Sequence, residues 1–180
     1  NIDELLKNKS KTHSLFDIKN FLLIDDLLNE NFVCIVGEPG IGKSRLISEI
    51  KKKLIKKSSF ACNASEFESQ KIPSNTEYCI VDALDELDGS AFFDTLQLIK
   101  QYKEKYQGVK VILSCRKHYV ASYASLFSSC SKLVFVEINR LEDQEVSKII
   151  DACSNVTKEN INKSPKLRNL LSIPRYLMFL

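Results

Sequence analysis

The segment spanning residues 31–45, NFVCIVGEPGIGKSR, constrains the fold of this chain more than any other stretch. Gly37, Gly42, Lys43 and Ser44 satisfy the spacing G-x-x-x-x-G-K-[ST] of a phosphate-binding loop, the Walker A pattern. The run from Phe32 to Val36 is too short and too β-branched for a helix, and it reads as a buried strand that delivers the loop to a sheet edge. A helix follows the loop. Its first peptide N–H groups have no partner inside the helix, and their partial positive charge faces the turn, which makes the junction an anion site. At Gly40 and Gly42 a side chain would obstruct either the backbone dihedrals or the approach of phosphate oxygens. Residues Gly37, Glu38, Pro39, Gly40, Ile41, Gly42, Lys43, Ser44 and Arg45 are therefore the expected cradle. Within it, Lys43 is expected to reach the β and γ phosphates as a mobile point charge, and the Ser44 hydroxyl to sit on Mg²⁺. Three of the five glycines in the chain fall within six residues, and strand, turn and helix arrive in the order the motif requires. A chance Gly/Pro turn before a helix is the weaker reading.

The rest of the chain supplies what such a loop needs around it. Residues 78–81 are apolar and run at once into Asp82, Ala83, Leu84, Asp85 and Glu86. An acidic residue at the tip of a buried strand is costly unless it meets a cation. Asp82 is thus expected to hold Mg²⁺ opposite Ser44, the Walker B arrangement, with an ordinary acidic first turn on the next helix as the alternative. Residues 109–113 form a further expected strand, ending in Ser114, Cys115 and Arg116. Polar residues there sit at the carboxyl edge, where ligands bind in open α/β sheets. Ser59–Asn63 and residues 133–136 read as the remaining strands.

Helical spacing appears between these strands. It marks Leu15, Ile18, Phe21 and Leu22 toward Leu27 and Leu28, then Leu46, Ile47, Ile50 and Leu54 on a helix running to about Lys57. It returns at Phe92, Leu96, Ile99 and Tyr106, stopped by Gly108, and again over residues 119–127. Residues 64–76 are polar and read as a loop with a helical turn at 66–69. Beyond Leu141 the pattern is all-helical through Cys153 and again from Ser164. The alternation predicts an α/β fold, a parallel five-stranded sheet with helices on both faces. The expected division is a helical lead-in over 1–30, frayed at its start and capped at Ser14, a core over 31–140, and a helical segment over 141–180.

Composition excludes several classes. With 44% hydrophobic and 27% charged residues the chain is of the globular kind. No 18-residue apolar stretch offers a membrane span and no signal peptide opens it, so no membrane partner is expected and the setting is read as cytoplasmic. A net charge of +3 is too small to argue for nucleic acid. Lys51, Lys52, Lys53, Lys56 and Lys57 read as a solvated face near a helix C-terminus, where cations are favoured anyway, and no nucleic-acid partner is expected through this stretch. Cys34, Cys62, Cys79, Cys115, Cys130 and Cys153 form no C-x-x-C pair and have no histidine at metal spacing, so they read as small buried hydrophobes in a reducing compartment. The chain lacks an initiating Met and stops inside an apolar run, as a fragment would.

Three elements together go beyond a generic phosphate-binding loop. GEPGIGKS from Gly37 to Ser44, IVDALDEL from Ile80 to Leu87, and LSCR from Leu113 to Arg116 resemble the NACHT group of STAND-class ATPases, signalling switches related to AAA+ proteins. In that group the Mg²⁺ aspartate is followed by a small residue and, one residue further on, by an acidic pair, which Asp82, Ala83, Asp85 and Glu86 fit. The resemblance implies strand order 5-1-4-3-2, a helical lid beginning after the fifth strand, ATP or ADP gripped between core and lid, and self-association when ATP replaces ADP. It implies that Arg116 reads the γ-phosphate and that Pro174 lines the adenine pocket; a surface ion pair and a helix-start proline are the plain alternatives. The sequence departs from the pattern in lacking a Gly-Arg pair before the loop strand, in Ala83 where Gly is more usual, and in Ser172 where a Gly-x-Pro would begin.

Phosphoryl transfer asks a protein mainly for placement and charge neutralisation. Fast ATPases often place a glutamate right after the Walker B aspartate to orient water, and here that position is Ala83. Orientation then falls to Asp85 or Glu86, with Lys43 and Arg116 completing the expected catalytic set, and slow, Mg²⁺-dependent ATP hydrolysis suited to a timer is the expectation. The function expected is an ATP/ADP-controlled switch module of a signalling protein, of the kind used in bacterial antiviral or innate-immune defence. The alternatives are a small-molecule kinase, disfavoured because residues 117–131 offer Lys117 but no arginine, and an AAA+-type nucleic-acid-associated ATPase. No guanine-reading N-K-x-D stretch is present, which favours ATP over GTP.

Overall fold

In a computed structural model, which describes residues 10–13, 22–130, 132–153 and 155–179, the loop strand is buried along its whole length. This strand, β2 (Phe32–Val36), lies third in a six-stranded sheet with β1 (Ser10–His13), β3 (Ser59–Asn63), β4 (Tyr78–Asp82), β5 (Lys110–Cys115) and β6 (Val134–Ile138). The order is β1-β6-β2-β5-β4-β3, and every pairing is parallel. Five of these strands reproduce the expected order 5-1-4-3-2. The sixth corrects the lead-in: Ser10–His13 is an edge strand, pairing from Ser10↔Phe135 to His13↔Ile138. Four polar residues with no alternating apolar pattern carry no strand signal, and the pairing comes from the exposed edge of β6. The expected Ser14 cap lies outside the described residues.

Because β2 alternates side chains across the sheet, it feeds two cores. Phe32, Cys34 and Val36 join one face with Phe92, Leu96 and Ile99 of α3 (Gly89–Lys105) and with Phe127. Val33 and Ile35 join the other with Leu27 and Leu28 of α1 (Leu22–Asn29) and with Leu46, Ile47 and Ile50 of α2 (Lys43–Lys53). Helix α2 ends at Lys53 rather than near Lys57, with Leu54 as its cap; Leu54 is buried, whereas Ile55 beyond it is exposed and does not extend the apolar face. The segment read as one helix near 119–127 is two, α4 (Lys117–Ser122) and α5 (Ala124–Ser128), broken at Tyr123, whose ring stacks on Phe92 at 4.3 Å.

After β6 the chain is helical: α6 (Asp143–Asp151), α7 (Asn155–Asn162), α8 (Pro165–Leu171) and a 3₁₀ turn from Pro174 to Phe179. Leu141, Val146, Ile150, Ile161 and Leu171 form a small core of their own. The helical segment is tied to the main core through polar contacts: Arg140 pairs with Glu38 at 2.7 Å, and the Arg175 amide donates to the Gly40 carbonyl at 3.2 Å. Among the described residues no helix is long and apolar enough to cross a membrane. Cys34, Cys62, Cys79, Cys115 and Cys130 are buried and Cys153 is partly buried, none of them in a disulfide.

Candidate functional site

A parallel sheet aims all its carboxyl ends one way, so the loop after β2, the acidic tip of β4 and the end of β5 meet at one edge. They enclose a cavity of about 450 Å³. Pro39, Gly40, Gly42, Lys43, Ser44 and Arg45 line it from the loop, Asp82, Asp85 and Glu86 from β4 and the turn after it, Arg116 from just past the end of β5, and Pro174 from the helical segment. Sequence reasoning also included Gly37, Glu38 and Ile41. The structure turns these elsewhere: Gly37 is buried, the Glu38 carboxylate takes two bonds from Arg140, and Ile41 is 1% exposed in the core.

Backbone geometry makes the cradle. Gly40 and Gly42 have φ of 78° and 111°, in the left-handed region that side chains resist. A Cβ on Gly40 would lie 2.8 Å from the Arg175 Cβ, so the glycine also lets the helical segment approach the loop. Helix α2 begins at Lys43 with no side-chain cap, leaving its first amides for an anion. The Lys43 ammonium is folded onto the loop, donating to the carbonyls of Gly37 at 3.0 Å and Glu38 at 3.2 Å. Burial lowers its pKa, and the carboxylate of Asp85 pulls it back up.

On the facing wall, Asp82 accepts two hydrogen bonds whose donors are linked by a third. The Ser114 hydroxyl donates to Asp82 Oδ1 in a short contact, the Ala83 amide donates to the same oxygen at 2.9 Å, and that amide also donates to Ser114 Oγ at 2.8 Å. The hydrogen bonds to the Asp82 carboxylate from the described residues all converge on Oδ1. Ala83 adopts φ 59°, ψ 42°, a left-handed conformation that costs an alanine about 1 kcal/mol. Replacing Ala83 by Gly is therefore expected to stabilise the fold by roughly 0.5–1 kcal/mol, measured as a raised urea midpoint with an unchanged slope.

Next to this wall, Arg116 Nε lies 2.7 Å from Asp85 Oδ2, and the Asp85 side chain is 4% exposed. Its other oxygen, Oδ1, is buried with no hydrogen-bond partner. A buried unpaired carboxylate oxygen is costly and is filled in practice by a water or a ligand donor. Sequence reasoning missed Ser114 as a site residue and missed Arg175, which also lines the cavity. A hydroxyl at the end of an apolar strand was a signal for the first. For Arg175 nothing in the local pattern distinguishes it from a surface arginine.

The donor set fits a magnesium nucleotide: an open glycine cradle, a lysine, a serine hydroxyl, one carboxylate oriented by neighbours, and an orphaned buried oxygen. A parallel β sheet with this loop between strand and helix, and an acidic strand tip facing it, defines a P-loop NTPase domain. The family model described as Novel STAND NTPase 3 matches residues 16–161, and the chain belongs to that family. This places it in the STAND class that its motifs resemble. A search of curated proteins found no match. Among solved structures, AMPPCP-bound DnaA from Aquifex aeolicus matches with TM-score 0.54 and 17% identity, covering 92% of this chain and 60% of its own. Domain III of DnaA from Thermotoga maritima matches with TM-score 0.57 and 13% identity, covering 87% and 83%. A closed-state reconstruction of Hsp104 with ATPγS and FITC casein matches with TM-score 0.55 and 14% identity, covering 76% and 29%. At such identities the likeness is one of fold.

Proposed function

We propose that this chain is the nucleotide-binding switch of a larger signalling protein, holding ATP or ADP with Mg²⁺ and hydrolysing ATP slowly. The observation that carries the reading is the Arg116–Asp85 pair at 2.7 Å on the wall of the same cavity as Lys43 and Asp82. In this role the loop amides and Lys43 hold the phosphates common to both nucleotides. Ser44 and Asp82 Oδ2 hold Mg²⁺, which when bound neutralises charge on the phosphate chain. Arg116 has four further N–H donors beyond Nε, and these reach a group that only the triphosphate carries.

Asp85 positions Arg116 through one oxygen and offers the other to water, so it fits the role of the orienting base, with the exposed Glu86 behind it. Ala83 leaves the position next to Asp82 without a carboxylate, which supports turnover well below the ordinary enzyme range of roughly 1–1000 per second. The Arg175 amide on the Gly40 carbonyl links the helical segment to the loop, a contact through which nucleotide state reaches the rest of the protein and biases self-association.

Arg116→Ala tests the reading. ADP affinity should stay within about twofold of the parent while ATP affinity falls about tenfold, measured by titration calorimetry with Mg²⁺. Equal losses for both nucleotides would refute the assignment.

A further inference from the structure

At the end of the sheet away from the phosphate-binding loop, a second cavity of about 300 Å³ opens between the start of β2, the last turns of α3 and the turn before β6. Lys100, Lys103 and Lys132 all line it, with Glu104 as the single acid and with Asn31 and Gln107 as amides. Lys103 is fixed there, its ammonium donating to the carbonyls of Gln107 at 2.9 Å and Val109 at 2.6 Å. Lys100 donates to the Ser129 hydroxyl at 3.2 Å. None of the three lysines has an ion-pair partner among the described residues.

Two features make this more than a scatter of surface lysines. Burial and the nearby charge of Lys132 both lower the pKa of Lys103, so these cations stand close enough to repel, an arrangement that an anion between them would relieve. Lys132 is also one of two non-glycine residues among those described with positive φ, at 60°. A lysine spends about 1 kcal/mol on that conformation, which glycine would adopt freely. The residue in that conformation places a third lysine at the cavity.

We propose that this cavity binds a small phosphate-bearing anion, inorganic phosphate or a phosphate monoester, between Lys100, Lys103 and Lys132, with the amides of Asn31 and Gln107 as further donors. Lysine is suited to this as a compact charge that tolerates varied phosphate geometry. The site shares no residue with the nucleotide cavity and stands or falls independently of the function proposed above.

The test removes the competing phosphate site first. In Lys43→Ala protein at constant ionic strength, inorganic phosphate and ribose 5-phosphate are titrated while the lysine Cε–Hε NMR resonances are followed. Saturable shifts at Lys100, Lys103 and Lys132 are expected, weakened about tenfold in a Lys100→Gln/Lys132→Gln variant. Lys103 is left intact there because its bonds to two carbonyls serve the fold. Tighter binding of ribose 5-phosphate identifies an ester ligand, and equal binding identifies the free anion. Shifts that fail to saturate, that chloride reproduces, or that survive in the double variant overturn the proposal.

Discussion

Lys43→Ala is expected to weaken the binding of ATP and ADP alike by about 100-fold, roughly 3 kcal/mol, measured by calorimetry in the presence of Mg²⁺. The loss is large because the ammonium is half-buried beside the loop, where low dielectric strengthens its attraction for phosphate. It is equal for both nucleotides if the β-phosphate is the main contact. The fold should tolerate the change, since Lys43 donates to only two loop carbonyls, Gly37 O and Glu38 O, and the second of these bonds is exposed. Unfolding by urea should shift by about 1 kcal/mol or less. A protein that binds nucleotide undiminished without this ammonium would remove the phosphate cradle from the account.

Asp85→Asn should separate binding from chemistry. An asparagine keeps the shape and still accepts from Arg116 Nε through its oxygen, but it cannot take a proton from water. Hydrolysis is expected to fall by about 10²–10⁴, the usual contribution of a positioned base, while ATP affinity is retained. Folding stability should change by no more than about 1 kcal/mol, because the variant replaces a desolvated charge with an orphaned oxygen by a neutral group of equal size. Single-turnover hydrolysis, with binding read separately, checks both halves. Glu86→Gln provides the contrast. Glu86 is exposed, its carboxylate keeps its water, and a smaller effect is expected from it. If the glutamine change abolishes hydrolysis and the asparagine change does not, the orienting role belongs to Glu86.

The two substitutions also probe different parts of the fold. Lys43 is set by the strand, loop and helix contiguous in sequence, whereas Asp85 acquires its partner, Arg116, from just past the end of β5. The Asp82, Ala83 and Ser114 triangle has the same long-range character. It explains how a left-handed alanine can persist: the amide it turns inward is used twice.

Where local periodicity dominated, the elements were legible. Phe32–Val36 needed only a β-branched run bounded by polar residues, and α3 needed only the recurrence of Phe92, Leu96 and Ile99. Failures came where neighbours decided. Ser10–His13 is a strand because the edge of β6 offers hydrogen bonds, and no apolar pattern announces it. Helix α2 stops at Lys53 because Leu54 is the last residue of its buried face and residues 55–57 are exposed, and the chain breaks at Tyr123, whose ring packs on Phe92.

Taken alone, the sequence determined that a glycine loop would sit between a buried strand and a helix, that an acidic strand tip would face it, and that strands and helices would alternate. These are local matters of dihedral freedom, side-chain period and the cost of burying charge. Only the tertiary structure decided which charges meet: Arg116 on Asp85 with one oxygen orphaned, Glu38 drawn away to Arg140, Arg175 laid over Gly40, and three lysines gathered at the opposite end of the sheet. Such pairings depend on distances between residues far apart in the chain, which packing sets and composition does not encode.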